Sequence, residues 1–246
     1  MKVQKIADNG GLSWYVFGRD TSKSEHVIDT NEYLVVHSSG DALLMDPGGT
    51  EIFPQVVAAL SEVVQITDIK AFFASHQDPD IMSSLPLWLG LCPKAKVYMS
   101  WIWSGFIAHF GHEYVGNFIT VPDEGISFQL GNSHLQLIPA HYCHSSGNFS
   151  LFDPVNRVLF SGDIGAALLP PEHTNMMVTD FQDHTRYMES FHRRWMPSNR
   201  AKNAWIRRVR PLKCQYICPQ HGAIFEGENV DRFLDWFEKL DVGSAV

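Results

Sequence analysis

Nowhere in the 246 residues does an uninterrupted apolar run approach membrane-spanning length, so no transmembrane helix is expected. The first residues, Met1-Lys2-Val3-Gln4-Lys5-Ile6-Ala7-Asp8, lack the apolar core of a secretory signal, and the chain is expected to be cytoplasmic, with no membrane partner. Cysteine is scarce. Cys92, Cys143, Cys214 and Cys218 show neither CxxC spacing nor the density of a disulfide scaffold, which predicts reduced thiols and excludes a rubredoxin domain, whose iron needs two such pairs. Neither GxGxxG nor GxxxxGK[ST] occurs, which removes the phosphate-loop nucleotide binders. Excess positive charge is missing too: a formal net charge of −8 offers a phosphate backbone no attraction, so no nucleic-acid partner is expected. The local basic cluster Arg193, Arg194, Arg207, Arg208 and Arg210 reads as a solvated helix face. With no Pro/Ser-rich linker or repeat, residues 1–246 read as a single α/β domain.

What is present is a β-rich start followed by alternation. Leu12 to Phe17, Tyr33 to His37 and Ala42 to Met45 have strand character, with Ser38-Ser39-Gly40-Asp41 supplying a hairpin turn. Ile52, Val56, Leu60 and Val64 then recur at helical spacing, and Pro54 sits near the helix start, where it is tolerated. Ile69 to Ala74, Val97 to Met99, Leu135 to Pro139 and Gln215 to Cys218 read as strands. Leu85 to Leu91, Asp180 to Met196 and Ala201 to Val209 read as helices. Asn148 to Asp153 and Arg157 to Ser161 form a further hairpin, and Val230, Phe233, Leu234, Phe237 and Leu240 mark one face of a closing helix. This is a mixed α/β sandwich with hairpins, not a doubly wound parallel sheet.

The chemistry lies where strands end. Ser75-His76-Gln77-Asp78-Pro79-Asp80 offers a ligand-type side chain at every second position, which lets His76 and Asp78 face one ion and Asp80 another. An isolated HxDxD is more often a polar loop capping a helix. Here three more strands lead into ligand-type residues beside glycine: His141 and His144 before Gly147, Asp163 after Gly162, and His221 before Gly222. Together they supply three imidazoles and three carboxylates, enough for two ions sharing one carboxylate. His141 and His144 compete for the role in their loop. His112-Glu113 does not extend to a zincin HExxH, because Gly116 stands where the second His is required. His26, His37, His109, His134, His173, His184 and His192 lack ligand spacing and read as surface or packed residues.

These residues and their order resemble the metallo-β-lactamase superfamily, whose pattern is HxHxDH, a His in an HTPGH-like loop, a bridging Asp after Gly and a late His. The resemblance is nearer to the di-iron domain of flavodiiron proteins and the stand-alone oxygen-binding di-iron proteins, where HxExDH replaces the second His by a carboxylate. It implies a metallo-β-lactamase αββα sandwich. It also implies His76, Asp78 and His144 at a first metal, Asp80 and His221 at a second, and Asp163 between them. His144-Ser145-Ser146-Gly147-Asn148 parallels HTPGH, which leaves His141 as a supporting or structural residue, with Tyr142 and Cys143 as packing residues. Two positions depart from the pattern. Asp78 is one methylene shorter than the Glu it replaces, and Ile81 stands where the last His of HxExDH belongs, so the second metal is expected to have an open position beside Ile81.

Three carboxylates among six ligands favour iron or manganese over zinc, and the expected cofactor is two iron ions, with zinc or manganese as alternatives. The resemblance implies binding of O2 or another small diatomic ligand. About 25 residues follow His221, far short of the ~100 or more of a typical domain, so no flavodoxin domain with its FMN is expected and turnover would need a separate reductase. Binding or sensing of O2, reported to a signalling protein, is the expected function. A dinuclear-metal hydrolase acting on a thioester, lactone, β-lactam or phosphodiester is the competing reading. Flavodiiron proteins are head-to-tail dimers, and the same is expected here, with Trp101, Trp103 or His112 near the neighbouring site.

Overall fold

The structure, a computed structural model, describes residues 1–18 and 28–244; His26 lies outside the described residues. Seven strands form the first sheet in chain order: β1 (Lys2–Asn9), β2 (Leu12–Gly18), β3 (Glu32–His37), β4 (Ala42–Met45), β5 (Ile69–Phe73), β6 (Lys96–Ser100) and β7 (Phe118–Val121). Its first three pairings are antiparallel, and those from β4 to β7 are parallel. The second sheet holds β8 (Ser127–Leu130), β9 (Ser133–Pro139), β10 (Phe149–Asp153), β11 (Val158–Gly162), β12 (Tyr216–Pro219) and β13 (Phe225–Glu226), in the order β13-β12-β11-β10-β9-β8. Helices α1 (Phe53–Ser61), α2 (Pro79–Met82) and α3 (Leu85–Leu91) follow strands of the first sheet; α4 (Phe181–Trp195), α5 (Asn199–Val209) and α6 (Glu228–Lys239) belong to the second.

Strand periodicity sorts the side chains into layers. Tyr33, Val35, Leu43 and Met45 face inward against Leu135, Leu151, Val158 and Phe160, and that cluster joins the two sheets. The alternate residues Leu34, Leu44 and Phe72 face outward onto Val56, Leu60, Leu85 and Trp88 of α1 and α3. On the opposite side Leu159, Ile217 and Phe225 meet Met188, Trp205, Phe233 and Phe237 of α4 to α6. The central strands are apolar on both faces because both faces are covered. The layers run αββα, as the resemblance implied.

Nearly every element expected from periodicity is present. The strands not foreseen are β1, β7, β8 and β13. β1 was not foreseen because it is an edge strand with largely polar, half-exposed side chains, and edges tolerate such residues. Residues Trp101–Phe110 and His112–Asn117 form 3₁₀ turns that follow neither the helix nor the strand period. Among the described residues no helix is long and apolar enough to cross a membrane.

Candidate metal centre

Four loops meet at one place: those after β5, β9, β11 and β12. They bring together all six side chains picked out by the sequence. The donor atoms of His76, Asp78, His144 and Asp163 lie within 4.8 Å of one another, near the roughly 4 Å spread of atoms bound at 2.0–2.2 Å around one ion. Asp78 Oδ2 is 2.9 Å from His144 Nε2 and 3.6 Å from His76 Nε2. Asp163 divides its carboxylate: Oδ2 is 3.7 Å from His76 Nε2 and 3.6 Å from His144 Nε2, while Oδ1 is 3.4 Å from His221 Nε2. Asp80 Oδ2 approaches the same His221 nitrogen at 3.4 Å. Two groups of donors thus share one carboxylate.

Each side chain is aimed by its local fold. Ser75 Oγ donates to Asp46 Oδ2 at 2.6 Å and Ser75 N to Asp46 Oδ1 at 2.7 Å, so the hydroxyl is left to accept from His76 Nδ1 at 2.9 Å. That bond turns His76 Nε2 toward the carboxylates. His221 Nδ1 donates to the Asp29 carbonyl at 2.9 Å and likewise presents Nε2. Gln77 Nε2 donates to Asp78 Oδ1 at 3.0 Å and Gln77 Oε1 accepts from Ser145 Oγ at 2.5 Å, tying the HxDxD loop to the His144 loop. His144 itself has φ of +81°, a conformation rare for residues with a side chain, and Asn148 Nδ2 bonding to the Cys143 carbonyl at 2.6 Å holds the turn that imposes it. Removing the hydroxyl in Ser75→Ala is expected to weaken metal binding by about 10–100-fold with the fold retained, measured by titration with ferrous iron.

His141 is separate from this cluster. Its Nε2 donates to the Asp123 carbonyl at 2.9 Å and its ring edge packs on Phe149, so it supports the loop. Cys143 is buried as expected, but Tyr142 is exposed at φ +60° and is not a packing residue. Ile81, expected beside the open position, is instead fully buried in the apolar layer under the first sheet and does not line the cavity over the site. That cavity of about 400 Å³ is bounded by Ile28, Glu51, Ser83, Phe191 and Trp195 together with the candidate ligands. Phe191 and Trp195 stack at 6.0 Å, and Trp195 meets the His144 ring edge-on at 5.1 Å. Their i, i+4 spacing on α4 was visible in sequence, but nothing there tied that face to the site. Asp46 and Ser75 were missed likewise, because they act through His76.

Charge organises the site. Burial opposes the charged form of His76, but Asp163 and Asp78 overcome it and push its pKa up to about 9. Burial and Asp163, with Asp80, act on His221 in the same way, and it too rises to about 9. Burial works against ionised Asp163, yet the imidazoles hold it down at about 2. Asp78 is lowered, against burial, by bonds from His144 and His76, whereas burial raises Asp80. Burial also raises Asp46 to about 7 despite the neighbouring His76 charge.

The arrangement fits cations. His76 Nε2 and Asp163 Oδ1 are buried without a hydrogen-bond partner, and both point into the cluster. A metal would replace the protons that His76 and His221 now hold, so affinity should climb steeply with pH below about 9 and flatten above it. The linked stability has the opposite sign. In the metal-free protein these two raised pKa values stabilise the fold fully below 6.5, and the contribution is lost as pH rises through about 9. Metal titrations and urea unfolding at pH 6 and pH 9 check both.

Residues 28–222 match the family described as ODP family beta lactamase. A solved structure of the chemotaxis sensor ODP, described as its peroxy diiron species, is 37% identical over 99% of this chain and 97% of that one, with a TM-score of 0.87. The apo state of the chemotaxis sensor ODP from T. denticola is 38% identical over 99% and 96%, with a TM-score of 0.88. Rubredoxin oxygen:oxidoreductase from Desulfovibrio gigas, at 18% identity and a TM-score of 0.83, shares the fold over 96% of this chain and 61% of its own. No curated protein sequence matches. With a family match across most of its length and these two ODP structures alike from end to end, the chain belongs to the ODP family beta lactamases.

Proposed function

We propose that this chain is a non-haem di-iron protein that binds O2 and serves as an oxygen sensor. The carrying observation is the Asp163 carboxylate, one oxygen of which faces the imidazoles of His76 and His144 while the other faces that of His221. His76, Asp78 and His144 would hold the first iron, Asp80 and His221 the second, with Asp163 shared. The donor set supports iron: three carboxylates offset the charge of a ferric pair better than an all-imidazole site would. Bound ferrous ions supply the electrons and open positions that oxygen chemistry needs.

The chain's own groups do the rest. Asp80 and His221 would give a second ion fewer protein donors than the first, with room left on the cavity side. Phe191 and Trp195 wall that side and limit water around it. Ser75 and the Asp29 carbonyl keep Nε2 of His76 and of His221 facing the Asp163 carboxylate, where the ions would be held. The sensor likeness comes from the two ODP structures, described as those of a chemotaxis sensor. In this reading one domain spanning residues 1–246 acts as a cytoplasmic homodimer, reports to a signalling protein and takes electrons from a separate reductase. Anaerobic titration with ferrous iron tests the site: two ions per chain support it. A protein that takes up only zinc and hydrolyses thioesters or phosphodiesters would overturn it.

A further inference from the structure

We propose that His192 is a positioning residue: it fastens the turn that carries Asp163 to helix α4, so that the shared carboxylate and the Phe191–Trp195 wall move as one body. The inference deepens the proposed function and rests on it for the role of Asp163. His192 is fully buried, and both ring nitrogens are engaged. Nδ1 donates to the Met188 carbonyl at 2.8 Å, one helical turn back on α4. Nε2 accepts from the backbone N–H of Gly165 at 3.0 Å. A carbonyl can only accept and a backbone N–H can only donate, so these partners fix a neutral imidazole with its proton on Nδ1. Burial, pushing the pKa down to about 4, agrees.

Gly165 is two residues past Asp163, and the backbone between them is a tight turn in which Ile164 N bonds to the Ser161 carbonyl at 3.2 Å and Ala166 N to the Asp163 carbonyl at 3.1 Å. Gly165 has φ of +95°, and a Cβ there would come within 2.9 Å of Phe225, so the turn at this position requires glycine. The same segment is tied on both sides. Ala167 N bonds to the His221 carbonyl at 3.1 Å, and Leu168 N bonds to the Tyr187 carbonyl on α4 at 3.1 Å. On α4, His192 follows Phe191 directly and precedes Trp195 by less than one turn. Its ring is set among Phe233, Trp236 and Phe237 of α6. A displacement of Asp163 therefore passes through Gly165 and His192 into the helix that walls the cavity. Beyond the wall, the Arg193 carbonyl accepts from Gly243 N and Ser244 N, so the end of the described chain rides on α4 as well.

Two variants separate positioning from packing. Phe at 192 fills the space without either bond; Gln keeps an acceptor for the Gly165 N–H. His192→Phe, folded by circular dichroism, is expected to bind the second iron about 10–100-fold more weakly and to lose the Trp195 fluorescence change on iron loading, defined by difference from Trp195→Phe. His192→Gln is expected to recover most of both. Wild-type affinity and an unchanged Trp195 response in His192→Phe would overturn the proposal, as would a Gln variant no better than Phe. Should His192→Phe fail to fold, amide hydrogen exchange on the wild-type protein decides: Gly165 and residues 188–195 are expected to slow together on zinc loading, and independent behaviour contradicts the link. If the wild type binds no pair of metals, the reading of Asp163 fails by itself. Common exchange of Gly165 and α4 in metal-free protein still supports the strut, and separate exchange overturns it.

Discussion

Replacing Asp163 by Asn is expected to cut iron binding from two ions per chain to at most one and to abolish any response to O2. The substitution keeps the shape of the side chain but removes its charge and turns one of its two acceptors into an amide donor. Oδ2 faces His76 and His144 while Oδ1 faces His221, so whichever way the amide settles one group loses its shared ligand. Loss of a supporting bond costs about 10–100-fold in metal affinity, and loss of a direct ligand should exceed that. Metal-free stability should fall less than the ~3–5 kcal/mol of a broken buried ion pair, because His76 and His221 can release their protons once the carboxylate that raises them is gone. Iron analysis after anaerobic loading, beside urea unfolding of the metal-free variant, separates these effects. Two tightly held irons in Asp163→Asn would refute the shared-carboxylate geometry.

Gly222→Ala should damage both fold and site. Gly222 follows His221 at φ +90°, and a Cβ there would come within 2.7 Å of Ala167 Cβ and 2.9 Å of its carbonyl oxygen. The left-handed backbone costs about 1–2 kcal/mol for a residue with a side chain. Overpacking against neighbouring backbone adds about 1–3 kcal/mol. A total loss of about 2–5 kcal/mol is therefore expected in urea unfolding. Because Ala167 N bonds to the His221 carbonyl, the strain falls on the second iron's imidazole, and that ion's affinity should drop with stability. Gly40→Ala is the control: Gly40 also has positive φ, at +95°, but its Cβ would meet nothing within 4 Å, so only the backbone cost remains. Equal losses in the two variants would show that the contact with Ala167 does not matter.

Much of this was legible in the sequence because burial on two faces writes a strong pattern. The runs through Leu34, Leu44, Phe72 and Leu159 are largely apolar on both faces, and the helices over Val56 and Leu60 or Phe233 and Phe237 carry a clear stripe. The six candidate ligands were visible because they stand directly after strands, beside glycines. What escaped the reading acts at a distance in sequence. Asp46 reaches His76 through Ser75, the Asp29 carbonyl aims His221 from the segment before β3, and His192 grips Gly165 from α4; no local period records such partnerships. Ile81 marks another limit. Its place in the pattern suggested a neighbour of the second metal, but its side chain belongs to the apolar layer under the first sheet, and the cavity is lined instead by Phe191 and Trp195 from α4.

The most direct test of the central claim is oxygen uptake by anaerobically loaded ferrous protein, followed with an oxygen electrode while iron and visible absorption are measured on the same sample. One O2 consumed per two irons, with a new visible absorption band absent from Asp163→Asn, is the predicted result. Two irons bound with no uptake of O2, or no iron bound by natively folded protein, would contradict it.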